Sequence, residues 1–121
     1  LAKVNYRIHT DAIKEHIIPP KVTKKQQGLI YASEADLLNM AMFGMTAKTW
    51  REQNADKDGN IRDHSSLEQL LVLANLESLN AEFIRMGLQS GERLKKLNTT
   101  AIRQMKSLAS SKPSKQIQPK K

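Results

Sequence analysis

The chain has 121 residues, a formal net charge of +8 and no cysteine. That length makes one domain or part of one, and the missing thiols exclude disulfides and thiolate metal sites, which fits a reducing, cytoplasmic setting. No apolar run reaches the ~18 residues that a membrane-spanning helix needs, and no charged-then-apolar leader is visible, so neither a membrane partner nor export is expected.

The first element is a helix over residues 1–18, because Leu1, Val4, Ile8, Ala12, Ile13 and Ile17 fall at helical spacing. That spacing begins at Leu1, which is not Met, so the chain reads as a fragment of a larger protein. Pro19 and Pro20 stop the helix. Residues 21–27 read as a polar loop, and Leu29-Ile30-Tyr31-Ala32 as a short strand. Ser33 and Asp36 resemble a capping box, opening a second helix that Leu37, Leu38, Met40, Ala41, Met42 and Phe43 carry to Gly44. Gly44 can take the positive φ that ends it, and Thr46 can cap a third helix over Ala47–Gln53, with Trp50 as its one large anchor.

Residues 54–60 form a turn-rich loop, after which Asn60-Ile61-Arg62 is expected to pair with Ile30-Tyr31 as a two-stranded ribbon. Asp63 or Ser65 starts the longest helix, with Ser65 and Glu68 in capping-box register. Leu67, Leu70, Leu71, Val72, Leu73, Ala74, Leu76 and Leu79 surround it, which predicts a buried central helix with Leu70, Leu71, Ala74 and Trp50 buried together. Gly87 is its stop. Ser90 opens the last helix. There Leu94, Leu97, Ala101, Met105 and Leu108 form a seam that seeks a partner helix, inside the fold or on a second copy. Residues 110–121 are polar and basic and are expected to be a disordered tail.

The positive surplus lies at the two ends. Residues 1–25 hold Lys3, Arg7, Lys14, Lys21, Lys24 and Lys25 against Asp11 and Glu15, and residues 110–121 hold four lysines and no acid. The stretch between them is balanced, so the helical core attracts phosphate only through a local basic face.

Residues 34–53 carry the order helix, tight turn, helix, a common scaffold for reading DNA. In such a unit the second helix offers its first residues to the major groove. Here Lys48 and Arg51 would meet phosphates or guanine edges, and Thr46 and Thr49 would donate to phosphate. The same order also builds an ordinary helical corner in which Trp50 packs on the core. Lys112 and Lys115 in the tail add non-specific phosphate contact.

Other constellations fail on their own chemistry. Asn54, Asp56, Asp58 and Gly59 imitate the start of a calcium loop, but Ser65 stands where a bidentate Glu is needed, and Lys57 and Arg62 add positive charge. His9 and His16 lack a third ligand, so they read as surface or half-buried histidines rather than a zinc site. Ser65 and His64 are chain neighbours that do not face each other. Glu34, Asp36, Glu68 and Glu92 read as acids near helix starts, where the dipole favours them. No enzyme, cofactor or metal is expected.

The runs LAKVNYRIHTDAIKEHIIPP, YASEADLLNMAMFGMTAKTWRE, GNIRDHSSLEQLLVLANLESLNAEFIRMG and ERLKKLN..AIRQMKSL resemble the C-terminal half of bacterial KilA-N domain proteins, which are phage-related and bind DNA. The resemblance spans about residues 1–108. It implies a DNA-associated parent whose named DNA-binding module lies upstream, and it assigns no base contact to any residue of this chain. The reading is an all-α domain over residues 1–109, of four to five helices around a buried central helix with at most one short ribbon. Its expected role is a non-enzymatic accessory to a DNA-binding protein; the alternative is an oligomerisation or protein-interaction module.

Overall fold

The structure is a computed structural model that describes residues 2–110. They form α1 (Ala2–His16), α2 (Lys24–Phe43), α3 (Ala47–Gln53), a 3-10 turn (Ile61–His64), α4 (Leu67–Arg85) and α5 (Ser90–Ser110), with no strand among them. The chain is all-α.

Capping chemistry sets the boundaries. Thr23 starts α2: its hydroxyl accepts from the Gln26 N–H, and the Gln26 side chain accepts from the Thr23 N–H. That box carries the helix straight through 29–32. The expected strand there is therefore wrong, and Ser33 and Asp36 lie inside a helix rather than at its start. The apolar character of Leu29–Ala32 is a weak strand preference, and Ile30 and Tyr31 bury it against the cluster of Ala12, Ile13, Ala81 and Ile84. The ribbon's second edge is not a strand either. Asn60 caps the 3-10 turn by accepting from the Arg62 and Asp63 N–H groups, while Asp63 accepts from the Asn60 N–H. α4 begins later than either expected start, on a Ser66–Gln69 box. Gly44 ends α2 at φ 75, its N–H bonded to the Met40 carbonyl, and Gly87 follows α4 at φ 81.

Four long helices make the bundle. Asn5 meets Ala74, His9 meets Asn80 and Glu15 meets Arg85, so α1 and α4 run parallel. Glu34 meets Arg93 and Asn98 meets Ala41, so α2 and α5 are parallel as well. Asn75–Gln104 and Asn80–Arg93 make α4 and α5 antiparallel.

The core has two apolar clusters, and α4 contributes to both. Leu38 and Ala41 from α2, Val72, Leu73 and Leu76 from α4, and Leu97 and Ala101 from α5 form one. Ala12 and Ile13 with Ala81 and Ile84 form the other. Burial of α4 is not all-round, however. Leu71 is 49% exposed and Leu67 79%, because three neighbouring helices leave one of its faces to water. Leu70 and Ala74 are half-buried, so the expected grouping with Leu71 and Trp50 does not form. On α5, Leu97 and Ala101 are core, and Leu94, Met105 and Leu108 pack against it. The expected seam thus finds its partner helices within the chain.

Candidate functional site

α3 is a single short helix held from behind. Thr46 caps it, accepting from the Thr49 N–H at 3.2 Å and donating its own proton to the Thr49 hydroxyl at 3.1 Å. Trp50 stacks at a tilt on His64, ring centroids 5.2 Å apart, and shares a small cavity of about 180 Å³ with Phe43, Met45 and Ile61. α3 packs chiefly on the 3-10 turn. Lys48 and Arg51 point to solvent. Of the four residues expected to meet DNA at this helix, the two cations have no ion-pair or hydrogen-bond partner among the described residues, whereas the two threonines are engaged in the cap. Lys112 and Lys115 lie outside the described residues, as does the rest of the expected tail beyond Ser110, which ends α5.

The calcium-like loop is committed to local turns. Asn54 donates to the Trp50 carbonyl, Asn60 caps the 3-10 turn and the Asp58 carbonyl meets His64 Nε2 at 2.6 Å. A Cβ at Gly59 would meet Asp63 Oδ2 at 2.6 Å, so the turn closes tightly on that carboxylate. Among the described residues no group of three or more His, Asp or Glu is placed to hold a metal.

Sequence reasoning missed a buried polar quartet between α1, α2, α4 and α5. Arg93 grips Glu34 with both terminal nitrogens, at 2.6 and 3.0 Å, and donates to Asn80 Oδ1 at 3.0 Å. Its Nε donates to the Leu88 carbonyl. Asn80 donates to His9 Nε2 at 2.8 Å and to Glu34 Oε1 at 3.3 Å. All four residues are buried. Burial pushes the His9 pKa down to about 4; Glu34 opposes that shift and Arg93 and Arg62 reinforce it. His9 is therefore neutral at pH 7 and its Nε2 accepts. Glu34 is not a helix-start acid, and His9 is neither a surface nor a half-buried histidine.

A signal existed for the quartet. Glu34 precedes Leu38 and Ala41 on one stripe, Asn80 stands between Leu76 and Ile84, and Arg93 precedes Leu97 and Ala101. A polar residue on an apolar stripe must find a partner or fail to bury. A cleft of about 470 Å³ opens beside Glu34 and Arg93, lined also by His16, Ile30, Ser33 and Ser90. The quartet's hydrogen bonds run among its own members and to Leu88. Its chemistry is that of a structural pin, with a bidentate ion pair at its centre.

A second buried acid, Glu77, faces Arg62 at 3.6 Å. Burial pushes its pKa up, against the pull of Arg62. Arg62 is thus partly occupied and is not a free surface cation.

Comparisons with known proteins find no match: no family model, no curated protein and no solved structure matches this chain.

Proposed function

We propose that this chain is a non-enzymatic accessory domain of a KilA-N-type DNA-binding protein, and that it contacts duplex DNA through Lys48 and Arg51. The resemblance of several long runs in order supplies the class. The observation that carries the contact is the division of α3 into two sides: Trp50 lines the cavity behind the helix, while Lys48 and Arg51 face water. A bacterial, cytoplasmic setting belongs to the same proposal. So does an upstream DNA-reading module.

A second reading makes the domain an assembly module for that upstream reader. The exposed Leu67 and Leu71 on α4 favour it, rather than the α5 seam, which is occupied within the chain.

The test is a titration of labelled duplex with the full chain and with Lys48→Ala/Arg51→Ala, at fixed salt. Both side chains are exposed, so the variant should fold. Removing a side chain that reads a base edge should weaken binding by roughly 1–3 kcal/mol, and removing one that meets only phosphate should weaken it by less. Equal affinity in the folded variant would reject α3 as the DNA-facing element. A dimer that Leu67→Lys disperses, seen by sedimentation, would then favour the assembly reading.

A further inference from the structure

α5 carries charge on its outer face that no ion pair among the described residues uses. Lys95, Lys96 and Arg103, with Thr99, Thr100 and the half-buried Phe83 of α4, line a groove of about 370 Å³. No carboxylate lines it, and Glu92 is the one acid of α5. Among the described residues none of the three cations joins an ion pair or a hydrogen bond. Arg93, one turn away, is locked to Glu34, so the surface cations are not part of that pin.

From this groove we infer a second nucleic-acid contact: it takes the sugar-phosphate backbone of a duplex, along one strand. The inference takes its ligand class from the reading proposed above, but it places the contact on a different helix. Lys96 and Arg103 are seven residues apart, about 10 Å along the axis at ~1.5 Å per residue. That interval is long enough for the two cations to reach neighbouring phosphates of one strand. The cations flank it, and the two threonine hydroxyls between them donate to phosphate oxygens. Phe83 gives the sugars an apolar floor. A bilayer surface does not fit, because α5 buries its apolar side in the core and cannot lie in an interface.

The test uses the full chain in four forms: parent, Lys48→Ala/Arg51→Ala, Lys95→Ala/Lys96→Ala/Arg103→Ala, and all five changes together. Each is titrated with labelled duplex across a salt series. The triple variant should bind about tenfold more weakly, with a salt slope shallower by roughly 2–3, since each phosphate contact contributes ~0.9. Amide shifts of the parent on adding duplex should map to residues 95–103, a readout that requires no variant to fold. Parental affinity and slope in the triple variant, with weakened binding in the α3 variant, would overturn this inference and keep the proposed function. Parental binding in both variants would overturn both. Poly-glutamate that competes charge for charge as well as duplex would also overturn it, marking the groove as a dock for acidic protein.

Discussion

Arg93 and Arg103 stand ten residues apart on α5, and the molecule treats them in opposite ways. Arg93 is 4% exposed, and it binds one carboxylate, one amide and one backbone carbonyl. Arg103 lines an open groove and has no ion-pair or hydrogen-bond partner among the described residues. The difference is one of helical phase. Position 93 shares a stripe with Leu97 and Ala101, which turn into the core, whereas 103 faces outward with Lys96. A buried guanidinium must be answered from within the fold, so its charge specifies structure. An exposed one can remain available to a partner.

The largest expected effect tests the buried half of the comparison. Arg93→Ala should cost about 3–5 kcal/mol, because it leaves the Glu34 carboxylate buried without its cation. Glu34→Gln should weaken the fold in the same sense. A double-mutant cycle from urea melts should show the two changes to be strongly non-additive. An Arg93→Ala chain that melts with the parent would break the comparison at its root.

Burial also makes the quartet sensitive to acid. The His9 pKa is about 4 in the folded chain against 6.5 for the free side chain, so the unfolded state takes up the proton first. Stability should therefore fall as the pH drops from about 6.5 to about 4. Each unit of difference is worth ~1.4 kcal/mol, so the loss totals roughly 2–4 kcal/mol. Glu77 acts in the opposite sense: its raised pKa favours the protonated folded state, and that contribution is lost as the pH rises through it. Thermal melts between pH 7 and 4 should show the acid loss in the parent and a flatter curve in His9→Gln. Parallel curves would remove His9 from the account.

The smallest expected effect belongs to the exposed half. Arg103→Ala should move stability by less than about 0.5 kcal/mol in a denaturant melt. A larger loss would mean that Arg103 holds structure, and the contrast with Arg93 would blur.

The legible parts of this fold are those written in neighbouring residues. Gly44, Thr46 and Gly87 mark their boundaries with local backbone and capping chemistry, and the periodicity of α1 and α5 reads directly. The first half of α2 misleads because Leu29–Ala32 is strand-like in composition, while Thr23 and Gln26, three residues apart, are an easily overlooked cap. The quartet is not legible as a unit, since Glu34 and Arg93 are separated by 59 positions and Asn80 and His9 by 71. Helical phase shows a polar residue turning inward but does not show what it will meet there. The α5 cations are easy to pass over for the opposite reason: lysines on the outer face of an amphipathic helix look like ordinary solvation until a groove without acids appears beside them.

The parallel pairing of α1 with α4 also bears on the order of assembly. Asn5–Ala74, His9–Asn80 and Glu15–Arg85 all join residues about seventy positions apart. During synthesis, at ~5–20 residues per second, α1 emerges several seconds before the helix that covers it. Ala12 and Ile13, fully covered in the finished bundle, must wait in water or in the care of a chaperone. Of the described helices α1 is made first and its main contacts wait for α4, so its docking closes a loop that contains most of the domain. Folding should depend on how well the nascent chain tolerates that delay, more than on the intrinsic helicity of α1.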